Sequence, residues 1–241
     1  MPSPAVRGVH DPQSFDHLAA RYDRYGQLVG AELRAWLLFR LPAGGGRALD
    51  AGCGTGLHTD LLAERFDEVL AVDVSGPMLA YAGRHRPRRN VRYERRDLHA
   101  VTVVRDGPFD LVLSAYTLHH VPDLTAALRH LRSLVRPGGT LLLVDVVDDR
   151  HPVPRSWLRV EAWRTFRADL ARRRRPVTEA VEVLRLSLDP DWLDHQCSDR
   201  LLPPAEWDTL ARTVFPGAAI SSLHRGRALI WHAPDPSHPP C

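Results

Sequence analysis

The stretch LDAGCGTG, residues 49–56, starts as a short buried strand and ends where a helical pattern begins. Gly52, Gly54 and Gly56 permit a tight turn with positive φ and let a ligand approach the backbone without meeting a Cβ. Their spacing is G-x-G-x-G. A dinucleotide-binding turn needs G-x-G-x-x-G, which leaves room for a pyrophosphate on the helix N-terminus. Asp50, two residues before the first glycine, would repel a pyrophosphate and attract an ammonium or sulfonium group. The turn therefore favours a cationic ligand.

Outward from this turn, strands and helices alternate. Residues 48–51 read as a strand, 57–65 as a helix, 69–74 as a strand, and 77–84 as a helix started by Ser75. Residues 91–93 and 109–114 are two further strands. Asp123 caps a helix with Leu124, Ala127, Leu128, Leu131, Leu134 and Val135 on one face, Pro137-Gly138-Gly139 stops it, and 141–147 is a fifth strand. Such alternation over short connections gives a parallel sheet with helices on both faces. Residues 14–41 carry Phe15, Leu18, Tyr22, Tyr25, Val29, Leu33 and Trp36 at helical spacing, predicting one or two amphipathic helices. Residues 157–186 read as helical, with Trp157, Val160, Trp163, Phe166 and Leu170 on one stripe. A helix over 203–215 and strands at 218–223 and 228–232, joined by a tight turn at His224-Arg225-Gly226, close the pattern as an antiparallel hairpin. The tail APDPSHPPC is punctuated by proline and reads as disordered.

The 241 residues suit one α/β domain. All 32 basic residues are arginine, which removes Schiff-base, Walker A and kinase chemistry, each of which needs a lysine. A net charge of +3 is a small excess for a nucleic-acid binder. Cys53, Cys197 and Cys241 form no C-x-x-C pair and suggest neither a disulfide framework nor a zinc site. No apolar segment is long enough to cross a bilayer and MPSPAVRGVH lacks a signal core, so a cytoplasmic protein without membrane or nucleic-acid partners is expected. Monomer and homodimer stay open.

Asp73 ends the second strand in VLAVDVS, where a carboxylate can accept from both hydroxyls of a ribose. Asp97 and Leu98, after the third strand, could meet an adenine amine and a ring nitrogen. With these residues in register the chain resembles the class I S-adenosylmethionine-dependent methyltransferases, especially the small-molecule type of ubiquinone and bacterial natural-product pathways. DLVLSAYTLHHVPD at 110–123 and LRSLVRPGGTLLLVD at 131–145 carry the resemblance further, over roughly residues 15–152. It implies a Rossmann-like fold: a mostly parallel seven-stranded sheet with a C-terminal antiparallel hairpin, N-terminal helices and a helical cap insertion. Within that single domain 14–41 are the N-terminal helices, 47–150 the cofactor core, 151–202 the cap, 203–232 the last helix and hairpin, and 233–241 the tail. It also implies that Gly52, Cys53, Gly54 and Gly56 line the methionine of S-adenosylmethionine and that Asp73 holds its ribose. Val74 and Met78 would sandwich the adenine, with Asp97 and Leu98 at its edge. Backbone around Ser114 would receive the amino group opposite Asp50, and Tyr22 would close over the cofactor.

Transfer from a sulfonium is an in-line displacement dominated by positioning, and a base matters only where the acceptor must lose a proton. His119 and His120, after the fourth strand, are the base candidates, with packing beneath the cofactor as the alternative. Asp145 is a further candidate. Trp157, Trp163 and Phe166, with Trp192, are expected to roof an aromatic pocket for a small-molecule acceptor. Nine arginines against Glu161 and Asp169 between 150 and 175 read as a solvated helix face, or else as an attractor for an anionic acceptor. The histidine pairs lack H-x-E or HExxH spacing, so no metal ligands are assigned. Three other functions compete: a nicotinamide-dependent oxidoreductase, a nucleic-acid methyltransferase, and non-methylating chemistry on the same cofactor. The glycine spacing and Asp50 oppose the first. The second lacks the Asp/Asn-Pro-Pro-aromatic sequence, since Ser114-Ala115-Tyr116-Thr117 stands in its place.

Overall fold

A computed structural model describes residues 18–150, 152–223, 226–235 and 237. Phe15, the turn at 224–225 and most of the tail lie outside the described residues. Two helices, α1 (Ala19–Val29) and α2 (Ala31–Arg40), lead into β1 (Arg47–Ala51), and alternation then runs as the sequence predicts. It comprises α3 (Thr59–Ala63), β2 (Glu68–Asp73), α4 (Gly76–His85), β3 (Val91–Arg95), α5 (Val103–Asp106), β4 (Phe109–Ala115), α6 (Leu124–Leu134) and β5 (Val135–Val146). The cap is α7 (Arg155–Arg172), α8 (Val177–Ser187) and α9 (Pro190–Ser198), and the chain closes with α10 (Pro204–Val214), β6 (Ala219–Leu223) and β7 (Gly226–His232).

The seven strands form one sheet in the order β3-β2-β1-β4-β5-β7-β6. The first five are parallel, and β7 enters antiparallel between β5 and β6. Side chains alternate between two buried faces. Leu49, Val112, Leu141 and Leu143 meet α6 and α10 through Leu128, Leu131, Trp207 and Phe215. Ala48, Leu111, Leu113 and Leu142 meet α2 and α3 through Leu33, Leu37, Leu61 and Leu62. Helices on both faces explain why the strands read as unbroken apolar runs. The strand order reverses between β1 and β4, so their carboxyl ends diverge and open a crevice.

Three sequence expectations are corrected. The strand expected at 141–147 begins at Val135, because Val135 pairs with Phe109 before an irregularity carries Pro137-Gly138-Gly139 outward. The single helix expected over 157–186 is broken: Arg173 takes φ +48 as a left-handed cap, and Pro176 cannot continue the helical ladder. The stripe on α7 faces out, with Val160, Trp163 and Leu170 exposed while Leu158, Ala162 and Asp169 are buried.

The N-terminal helix is fastened to the glycine turn by one carboxylate. Asp23, 2% exposed, accepts from Thr55 Oγ1 at 2.8 Å, from Gln27 Nε2 at 2.7 Å and from Tyr81 at 3.2 Å. It also pairs with Arg86 at 2.8 Å, whose other nitrogen donates to the Thr55 carbonyl. Removing one partner of a buried ion pair strands the other. Asp23→Ala is expected to lower unfolding stability by about 3 kcal/mol in a urea titration; a change within about 0.5 kcal/mol would show that this fastening carries no load.

Candidate active site

The crevice at the carboxyl ends of β1 and β2 takes its shape from the turn. Gly52, Gly54 and Gly56 all hold positive φ, at +80°, +52° and +77°. A Cβ on Gly52 would lie 2.2 Å from the Thr117 side chain, so Gly is required there for space as well as for backbone. Asp73 fixes the far wall: one carboxylate oxygen accepts from Gly54 N at 2.8 Å and the other from Ser75 N at 2.9 Å. A carboxylate can accept more bonds than these two, which is the chemistry a vicinal diol needs. Ser75 caps α4 by accepting from Met78 N at 3.1 Å, which sets Met78 in the crevice wall.

Two adjoining cavities result, of about 170 Å³ over Asp73 and about 230 Å³ under the cap. They share Tyr22, Gly52, Gly54, Tyr116 and His120. The smaller is lined by Asp73, Val74, Met78, Asp97 and Leu98, among others. Asp97 stands beyond the end of β3 and caps the next turn through His99 N at 2.8 Å. Arg96 also reaches this wall, but its guanidinium is taken up by Asp106 and Glu94.

Asp50 and Cys53 face the larger cavity. Asp50 is 2% exposed and accepts from Thr59 Oγ1 at 2.6 Å. Burial, against that hydrogen bond and with the charge of Asp73, pushes its carboxyl up to about 7. Burial and Asp73 likewise raise the Tyr22 phenol to about 12. Tyr116 occupies φ +55 directly after β4, a conformation costly for a bulky residue and concentrated at functional sites.

Ser114, Gly56 and the three aromatic residues of α7 line neither cavity. Ser114 donates to the Ala51 carbonyl at 2.9 Å inside the sheet, and its neighbours Ala115 and Tyr116 reach the cavity instead. Gly56 faces Tyr93 and Ala82, where a Cβ would not fit. Trp157 lies beneath the Arg150 guanidinium at 3.8 Å, and Trp163, half exposed, meets Phe166 edge-on at 5.8 Å on the outer side of the cap. Trp192 of α9 supplies the aromatic roof, 4.7 Å from Tyr25 and 5.9 Å from Tyr22.

His119 and His120 sit in the turn after β4 and both line the larger cavity. His119 Nδ1 donates to Asp145 Oδ1 at 2.6 Å. Burial disfavours the charged ring, yet the Asp145 carboxylate outweighs it and raises the His119 pKa above its ordinary value. His195 of α9 also lines this wall, and the buried Asp199 just after α9 stands beside it, with His195 Nε2 at 3.2 Å and His120 Nδ1 at 3.8 Å from Asp199 Oδ1. Burial pushes the Asp199 carboxyl up to about 6. The sequence reading missed these two because α9 was not recognised; their i, i+4 spacing is legible only once that helix is.

The comparisons agree with this geometry. A methyltransferase-domain profile matches residues 49–143. An uncharacterized methyltransferase of Mycobacterium tuberculosis is 33% identical over 199 residues, covering 80% of this chain and 90% of that protein. A ubiquinone biosynthesis O-methyltransferase of Xanthomonas euvesicatoria pv. vesicatoria is 36% identical over 106 residues, 43% of this chain and 44% of that one. Among solved structures, DhpI in complex with SAH superposes with a TM-score of 0.62 at 25% identity, covering 96% of this chain and 100% of that one. A positive-φ glycine turn, a carboxylate ending the next strand and holding that turn, and the mycobacterial relative and DhpI, each matched over at least 90% of its own length, place this chain in the S-adenosylmethionine-dependent methyltransferase family.

Proposed function

We propose that the protein methylates an oxygen, nitrogen or carbon nucleophile of a small, largely apolar, uncharged molecule. The observation that carries this is the junction of the two cavities. Asp73 and Met78 mark one side as the place for the adenosyl group, while the other side is an apolar chamber under α1 and the cap. A sulfonium methyl at the junction, beside Tyr116 and His120, would face an acceptor held in the chamber. Alignment of that kind supplies most of the acceleration such a displacement needs.

The chamber's charge decides the acceptor class. No arginine lines it among the described residues, and the chain has no lysine. His58 is driven down to about 4 by burial and stays neutral, while Asp50 and Glu32 face inward. Arg150 beside the cap is paired with Asp148, and within the cap Arg155 is paired with Asp194 and Arg175 with Asp169. The side chains of the chamber thus offer an anionic acceptor no permanent countercharge of their own. Helices α1 and α2 and the cap helices α7, α8 and α9 serve as the lid of the chamber, and His119 and His120 activate the acceptor. No helix among the described residues is long and apolar enough to cross a membrane.

Asp73→Ala is expected to weaken adenosylhomocysteine binding by about 2 kcal/mol, some thirtyfold, through lost charge-assisted hydrogen bonds. Unchanged affinity by calorimetry would remove the adenosyl group from this crevice. Asp50 gives a pH signature. A carboxyl at about 7 in the free protein is mostly protonated at pH 6 and must ionise beside an incoming ammonium. Binding then releases a proton, and affinity climbs as pH rises from roughly 5 to 7 and levels off above. Calorimetry in buffers of different ionisation enthalpy reads this directly; Asp50→Asn should abolish the release, and its persistence would assign the proton to another group. For the acceptor itself, isotope-labelled S-adenosylmethionine incubated with neutral phenols and with matched carboxylates or phosphates should label the neutral series. Preferential labelling of the anions would refute the acceptor class.

A further inference from the structure

The wall of the chamber gathers three imidazoles and one carboxylate from segments far apart in sequence. His119, His120, His195 and Asp199 each offer a ligand atom, and these atoms all lie within 4.8 Å of one another. Ions with bonds of about 2.0–2.2 Å in tetrahedral geometry hold their ligand atoms roughly 3.3–3.6 Å apart. The two pairs that meet at Asp199 Oδ1, at 3.2 and 3.8 Å, already bracket that spacing.

Two further observations point to a ligand. Asp199 Oδ1 is buried and accepts no hydrogen bond, although the His195 ring nitrogen is 3.2 Å away and out of line. A buried carboxylate oxygen so placed carries an unmet desolvation cost. His119, for its part, gives its Nδ1–H to the buried Asp145 at 2.6 Å. That is the outer-shell arrangement by which carboxylates orient metal-binding imidazoles, leaving the opposite ring nitrogen as a donor. Histidines merely filling space would need neither; the rings of His119 and His120 lie 3.8 Å apart and tilted, and those of His120 and His195 5.0 Å apart and edge-on.

We propose that His119, His120, His195 and Asp199 bind a first-row divalent cation in the wall of the chamber. A set of three imidazole nitrogens and one carboxylate suits zinc or its neighbours rather than calcium or magnesium, which take oxygen. Zinc can expand to five ligands, so an acceptor oxygen can join the ion and be held toward the junction. This last step rests on the chamber being the acceptor site, whereas the ion site itself does not.

The test uses the purified full chain, stripped with a chelator and titrated with zinc by calorimetry and with cobalt by visible absorption. One equivalent per chain is expected, with the strong visible bands of four-coordinate cobalt. His195→Ala and Asp199→Asn should each weaken zinc binding at least about tenfold, and Asp145→Asn roughly ten- to a hundredfold, with circular dichroism confirming the fold. His195→Gln, which keeps the volume, guards against a collapsed wall and should bind as weakly as His195→Ala. Asp73→Ala should bind zinc normally while binding adenosylhomocysteine some thirtyfold more weakly, so failure of the crevice and failure of the ion site read out separately. Absence of stoichiometric binding, or binding indifferent to both His195 and Asp199, would overturn the proposal.

Discussion

The structure turns on the carboxylate of Asp73, which grips two backbone N–H groups of different segments. By accepting from Gly54 it pins the glycine turn against β2, and by accepting from Ser75 it sets the start of α4. Charge-assisted bonds of this type are the stronger ones, and both are short. From them follow the mouth between β1 and β2, the placement of Met78, and the space that Gly52 must leave for Thr117. The strand reversal at β1 and β4 supplies an opening, and Asp73 gives it a shape.

A second constraint comes from above. α1 is tied to the turn through Asp23, and its Tyr22 lines both cavities. Trp192 of α9 closes onto Tyr22 and Tyr25, so the roof is shared between the N-terminal helices and the cap. The electrostatics divide along the same line. Carboxylates cluster at the mouth and on the histidine wall, whereas arginines such as Arg21, Arg24, Arg88 and Arg155 form ion pairs away from the chamber. A chain whose basic residues are all arginine thus builds a chamber that none of those arginines lines among the described residues.

Much of this was legible in the sequence because it is local. The glycine spacing, the Asp73 position, the Ser75 and Asp123 caps and the alternating strands each depend on a few neighbouring residues. The hairpin strands at the end were legible too, through their turn signal and apolar runs. The cap was not. Periodicity on α7 shows that Trp163 and Phe166 share a face without showing which way that face points, and the structure turns it outward. The break at Arg173 was masked by a run of arginines that are good helix formers, and only Pro176 marked it. The resemblance gave the backbone around Ser114 to the cofactor's amino group; the Ser114 hydroxyl donates to Ala51 inside the sheet, and the neighbouring Ala115 and Tyr116 line the cavity. The wall formed by His119, His120, His195 and Asp199 joins segments some 75 residues apart, a relation set by tertiary packing alone.

The central claim is that the glycine turn and Asp73 hold the adenosyl group with its sulfur at the junction of the two cavities. A crystal structure of the full chain with adenosylhomocysteine tests it most directly. The account predicts both ribose hydroxyls on Asp73, the adenine beside Met78 and Leu98, and the sulfur next to Tyr116 and His120, open to the chamber. Electron density with the nucleoside inside the apolar chamber, or with the sulfur turned away from it, would contradict the account.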